Sequence, residues 1–286
     1  MTTFTLASQP VDRPRVSGVD LVAPWRARQP LLATLAELCL WALIPCALAM
    51  WLDARTVNGI SVWIKPAKFF ASLALYYATL AWMFGLLPRE TQSTRSGRTI
   101  IGLAVAAGAY EMTWLVAAAV AGVPSHFNRT HWAWATAYNL AGLGATLLLV
   151  AVWMQGRLIA RDRQVPLHPA FRLSLVIGAR LAFVATLITA GVLASGNGHW
   201  VGAAVANDAA GWPVLGWSRS GGDLRVAHFF ALHAHQVLPL AGAAIVASGA
   251  ANPSWASRAV WAATLAYSAM IAGTFVQALM GRPFLG

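Results

Sequence analysis

Asp223, Arg225, His228, His233, His235 and Gln236 share one stretch, GDLRVAHFFALHAHQVLP, running from Gly222 to Pro239. Three of the seven histidines fall within eight of its residues, inside an apolar run. Polar side chains cost several kcal/mol, on the order of one hydrogen bond or more each, when buried in lipid without partners, so such a cluster marks a candidate site. Neutral imidazole ligates zinc, iron and copper, and histidines from two segments can hold haem axially. His126, in GVPSHFN, supplies a second segment to His228 and His233. These three are the expected metal ligands of a haem or transition-metal site. Lys65, Lys68, Arg129 and Arg225 are placed to hold propionates, and Asn128 and Gln236 complete the cofactor-binding set.

Two other chemistries fit the same residues. A metal-dependent hydrolase would use the three histidines as zinc ligands and Glu111 or Asp223 as base. Its weak point is the spacing of His228 and His233, i and i+5, where one face of a helix offers i and i+4. A proton-coupled transporter, or a protein binding a lipid or another anion, would use Glu111 and the histidines for protons and the lysines for the anion. Nothing resembling GxSxG, HExxH or a phosphate-binding loop is present.

Several of these residues also have plainer roles. Asp223 is a natural helix cap. Lys65 and Lys68, flanking Pro66, can reach the membrane surface along their stems. Glu111 can be a neutral acid bonded to a neighbouring helix, and Asn128 or Thr130 can cap the next helix. With His228 set at zero on a helical wheel, His235 falls close by, Gln236 a quarter-turn away and His233 further round. His228, Gln236 and His233 therefore cover one broad arc, with His235 at its edge.

The elements that position these groups are membrane spans. Of 286 residues 58% are hydrophobic and only 10% charged, with mean hydropathy +0.61. A soluble domain carries about 25% charged residues, so this chain cannot cover a water-facing surface. The +11 net charge does not point to nucleic acid, because the basic residues punctuate apolar runs as topology signals do. A span needs about 20 apolar residues. That rule predicts an all-α transmembrane bundle with seven spans near 31–52, 68–87, 99–121, 132–155, 173–195, 226–249 and 258–281. Residues 1–29 read as an aperiodic tail, and 30–286 as the bundle. The first span follows a basic segment and is long enough to cross, so it reads as an uncleaved helix rather than a signal peptide. Gly102, Ala106, Gly108, Gly142 and Gly144 predict close helix contacts. Cys39 and Cys46 lie about 10 Å apart on one helix, too far for a disulfide, and read as small apolar groups.

Twelve basic residues fall on one side: Arg13, Arg15, Arg26, Arg28, Arg89, Arg95, Arg98, Arg157, Arg161, Arg163, Arg172 and Arg258. Seven fall on the other: Arg55, Lys65, Lys68, Arg129, Arg219, Arg225 and Arg282, with Arg180 inside the fifth span. The bias predicts a cytoplasmic amino terminus in a bacterial inner membrane. Six histidines then gather on the outer side; His168 stands apart, in an inner loop. Glu37 is expected to be structural or paired with Arg180, and Glu111 to find Arg180, a lysine or a histidine.

At WIKPAKF, GVPSHFN and GDLRVAHF the chain resembles a group of bacterial multi-pass membrane proteins, from the first loop to the sixth span. The resemblance implies a helical membrane fold and no particular activity. His228, His233 and Gln236 sit within the resembling pattern and His235 does not, which ranks His235 lower.

Overall fold

The computed structural model describes residues 25–196, 198–202, 208–249 and 252–285. It is all-α, 75% helical. Most of the expected tail, including Arg13 and Arg15, lies outside the described residues. The part within them is not aperiodic: Trp25–Arg28 forms a short helix, α1. Arg26 is bonded to Glu37, and Arg28, 4% exposed, donates to the Trp82 carbonyl. Glu37 is thus paired with Arg26, not Arg180.

Among the described residues seven helices are long and apolar enough to cross a membrane. The first, Pro30–Leu52, is two segments, α2 (Pro30–Trp41) and α3 (Leu43–Leu52). They break at Ala42 because Pro45 has no N–H to return to the Trp41 carbonyl. A short hairpin, β1 (Thr56–Val57) and β2 (Ile60–Ser61), leads to α4 (Ile64–Phe84). Pro66 falls in the first turn of α4, where its missing N–H costs nothing, so the helix begins ahead of the expected 68 and carries both lysines. A single turn, α5 (Arg89–Gln92), precedes α6 (Arg95–Ala121) and α7 (Trp132–Arg161). Then come α8 (Pro169–Ser195), β3 (Trp200–Val201), β4 (Gly222–Asp223), α9 (Leu224–Ala247) and α10 (Pro253–Leu279). Four helices run past the expected spans into Arg-bearing turns. Arg172, for example, donates to the carbonyls of Ile159, Asp162 and Val165 and satisfies the end of α7.

Alternate connections meet at each end of the bundle. Residues 53–63, 122–131 and the described parts of 196–223 (196, 198–202 and 208–223) gather at the histidine-rich end, tied by bonds from Arg55 to the Val120 carbonyl and from Asp208 N to the Asn58 carbonyl. The apolar core is densest toward the opposite end, where Leu32, Leu80, Met83, Phe84, Ile100, Ile159 and Phe171 are fully enclosed. Cys39 and Cys46 are buried free thiols within the bundle. Helices approach most closely at glycine. A Cβ on Gly178 of α8 would lie 2.9 Å from the Ala234 carbonyl of α9, and one on Gly108 would strike the Tyr77 hydroxyl. Gly144 faces Glu111. Gly102 and Gly142 face open space, contrary to their expected role as contacts, because they sit on the outward side of their helices.

Candidate functional site

The motif GDLR folds as a staple. Asp223 caps α9: its Oδ1 accepts from Arg225 N at 3.0 Å, and its Oδ2 accepts from Ser218 N at 2.9 Å. The Arg225 guanidinium grips the same carboxylate at 2.9 and 2.6 Å, reaches Asp208 Oδ1 at 2.8 Å and donates to the Gly216 carbonyl at 2.6 Å. One cation therefore holds both ends of the segment 208–217 over the start of α9. The β3–β4 pair and the bond from Leu224 N to the His199 carbonyl complete this cover. His199 Nε2 stands 3.5 Å from Asp208 Oδ1. Burial opposes ionisation of Asp208, but His199 and Arg225 outweigh it and hold the carboxyl below its ordinary range. Burial likewise keeps His199 below the usual histidine value, against the pull of Asp208. Both oxygens of Asp223 are occupied, so its contacts are those of the cap and not of a free base.

The SHFN turn closes the end of α6. Trp114 Nε1 donates to the Ser125 carbonyl at 3.1 Å, and Ser125 Oγ lies 3.1 Å from His126 Nδ1. Phe127 takes a left-handed φ of 59°, a conformation that costs a bulky residue on the order of 1 kcal/mol. The turn aims His126 between the rings of Phe69 (6.0 Å) and Tyr138 (5.6 Å). Burial drives its proton affinity well below the ordinary histidine range, reinforced by Lys65, His199 and His228 within electrostatic reach. Asn128 does not face this group; it forms a turn with Thr130 N and Oγ1. Arg129 is exposed. His131 caps α7 and His168 caps α8, each through Nδ1. His168, expected to be a loop residue, thus has a structural duty.

His228 reaches toward the same space from α9, with Nδ1 3.3 Å from Thr189 Oγ1. His233 does not. Its ring packs on Phe229 at 4.2 Å, and its Nδ1 meets Gln236 Oε1 at 3.3 Å, while Gln236 turns to Thr79. The expected metal triad therefore does not converge. Among the described residues no group of three or more His, Cys, Asp or Glu side chains is placed to hold a metal ion.

Lys65 and Lys68 complete the cluster from the first turns of α4. Lys68 Nζ donates to the Leu215 carbonyl of the cover at 3.1 Å. Lys65 is half-buried and lies within electrostatic reach of Arg225, Asp208, Lys68 and Glu111. Among the described residues it makes no hydrogen bond and no ion pair. Glu111, 3% exposed, lies deeper, against Gly144 of α7, and its Oε1 has no hydrogen-bond partner among the described residues.

His235 is the deepest histidine, 5% exposed. Its Nδ1 is 2.7 Å from the Leu232 carbonyl and must donate, which leaves Nε2 as a buried acceptor beside Tyr76 with no partner among the described residues. At the other end of the bundle an open groove of about 650 Å³ is lined by Thr91, Leu158, Arg161, Asp162, Arg163 and Gln164.

Comparison with protein-family models, curated proteins and solved structures finds no match to this chain. The patterns WIKPAKF, GVPSHFN and GDLRVAHF thus identify no family. The chain is a multi-pass helical membrane protein with seven candidate spans.

Proposed function

We propose that the histidine-rich end binds a small oxyanion, either free or as the headgroup of an anionic lipid, at Lys65. The observation that carries this reading is the state of that lysine. Among the described residues it is a half-buried cation without a bonded partner, at the first turn of a helix whose free amides also favour negative charge. Its neighbours are already committed: Arg225 to Asp208 and Asp223, and Lys68 to the Leu215 carbonyl. The positive-inside bias supports a cytoplasmic amino terminus in the inner membrane, with this end facing outward. Reporter fusions within 88–98 should then read as cytoplasmic and within 208–217 as external; the reverse pattern would move the site to the cytoplasmic side.

The test of the site is thermal stability of purified protein in nanodiscs of phosphatidylcholine or phosphatidylglycerol, with and without sulfate at constant ionic strength. A ligand that binds only the folded state raises its stability. Sulfate should raise the unfolding midpoint of the wild type and leave that of Lys65→Ala unchanged. A sulfate effect that phosphatidylglycerol pre-empts would mark the headgroup as occupant, and an equal effect in both lipids would mark a free anion. No effect of sulfate, or the same effect in Lys65→Ala, would overturn the reading.

A second reading, haem or metal binding, is favoured by one observation. His235 donates through Nδ1 to a carbonyl and keeps an Nε2 with no partner among the described residues, the preparation typical of a ligating imidazole. A visible spectrum with metal analysis tests it: a Soret band lost in His235→Ala would support it, and a colourless, metal-free protein would reject it.

A further inference from the structure

We propose that the groove at the end opposite the histidines seats the phosphate headgroup of an anionic phospholipid, held by Arg161 and Arg163; this site is independent of Lys65. The groove, about 650 Å³, is walled by Thr91 of α5 and by Leu158 and residues 161–164 at the end of α7. That size lies within the roughly 300–1,000 Å³ of small-molecule sites. Both arginines are exposed, and among the described residues neither makes a hydrogen bond or an ion pair. A guanidinium fork fits two oxygens of one phosphate at once. Neighbouring cations are engaged elsewhere: Arg157 lies 4.6 Å over the Trp153 ring, and Arg89 donates to the Ala27 and Arg28 carbonyls. The carboxylate in the groove neutralises neither arginine by contact. Asp162 Oδ2 accepts from Thr91 Oγ1 at 2.6 Å and Oδ1 from Gln164 N at 2.9 Å, which braces α5 against the end of α7.

Arg161 is the last residue of α7, where the partial negative charge of free carbonyls ordinarily repels an anion. Arg172 removes that obstacle. It is 6% exposed and donates to the carbonyls of Ile159, Asp162 and Val165, so a buried cation stands where those carbonyls would be free. Three arginines then face one aspartate, and the groove is net positive. Position selects a lipid over a free anion. Leu143 and Arg161 are eighteen residues apart on α7, about five turns at 3.6 residues each, so they share one line along the helix. Leu143, near the middle of α7, is 54% exposed, so that line faces lipid. A phosphate at Arg161 and Arg163 sits at the end of the line, and its acyl chains run along it. Net positive charge favours phosphatidylglycerol over phosphatidylcholine, whose choline cancels the charge of its phosphate.

Native mass spectrometry of the full chain in detergent, offered equal phosphatidylglycerol and phosphatidylcholine, tests the groove. The wild type should retain one more phosphatidylglycerol than the double variant Arg161→Gln, Arg163→Gln, whose affinity at this site falls about tenfold or more, the scale of one charge-assisted hydrogen bond. Lys65→Ala should retain the groove lipid as the wild type does, which keeps this outcome separate from that of the anion site above. Excess inorganic phosphate should not displace the lipid, since it has no acyl chains to lay along α7. A measurement on the wild type alone guards against a variant that does not fold: a photoactivatable phosphatidylglycerol should label residues 158–164, and the matching phosphatidylcholine should not. Equal retention by wild type and double variant, loss of the groove lipid in Lys65→Ala, or equal labelling of 158–164 by both lipids would overturn the proposal. Displacement by inorganic phosphate would assign the groove to a free anion and overturn the lipid as its occupant.

Discussion

Arg225 carries three kinds of contact in one side chain: a bidentate pair with Asp223, a second carboxylate at Asp208 and the Gly216 carbonyl. Breaking a buried pair by removing one charge costs about 3 kcal/mol, because the other charge stays behind. Asp223→Asn keeps a capping oxygen but loses the charge, so it should loosen the cover by that order while leaving the spans inserted. Hydrogen exchange at Ser218 and Leu224 checks this, and unchanged protection there would contradict it. His126 and His199 add a pH dependence of known sign. Burial keeps both below the ordinary histidine value, so the unfolded segment binds protons more readily than the folded one. Stability of the cover should therefore be full above about pH 6.5 and fall as pH drops below it. Tryptophan emission from Trp200, Trp212 and Trp217 reports on the cover; a cover that tightens in acid would contradict the assignment. The sequence made Asp223 readable as a cap, since an acidic residue stood just before an apolar run. It did not make Asp208 readable, because that partner is distant along the chain and sits in an irregular segment.

The buried face of α9 is set by small residues, not by its histidines. Ala227, Ala231, Ala234, Leu238 and Gly242 are enclosed where α9 packs on α8, and His235 falls among them. A wheel centred on the polar residues put His235 at the edge of the arc, and the resembling pattern left it out, so the deepest of these imidazoles was ranked below His228 and His233. The glycines divide for a related reason. Composition shows that small residues are frequent but not which way they point, so Gly108 and Gly144 meet neighbours while Gly102 and Gly142 do not. Gly178→Leu should force α8 from α9 and cost about 1–3 kcal/mol or more. Gly102→Leu should be near neutral. Unfolding in detergent measures both, and equal effects would contradict the helix contacts described. The start of α4 was misplaced by four residues because Pro66 reads as a breaker, whereas in a first turn it is compatible with helix.

At the scale of the molecule, the length and hydropathy of the apolar runs were enough to find all seven helices, because lipid requires every span to satisfy its own backbone. Exposed tryptophans mark both ends, Trp51 and Trp132 near the histidine-rich end and Trp255 at the other. The site was less legible. Residue types grouped Lys65, His126 and His228 at one end of the bundle, where the fold also places them, but a metal triad needs three side chains to converge, and convergence is a property of tertiary packing. His233 and Gln236 bond each other instead. What the packing leaves at that end is a lysine with its neighbours' charges already engaged. Equilibrium dialysis of radiolabelled sulfate against purified protein, wild type beside Lys65→Ala, measures that claim directly. The account predicts one sulfate per wild-type chain and binding weakened about tenfold or more in Lys65→Ala, the scale of one charge-assisted hydrogen bond. Equal binding by the two proteins, or none by the wild type, would contradict it.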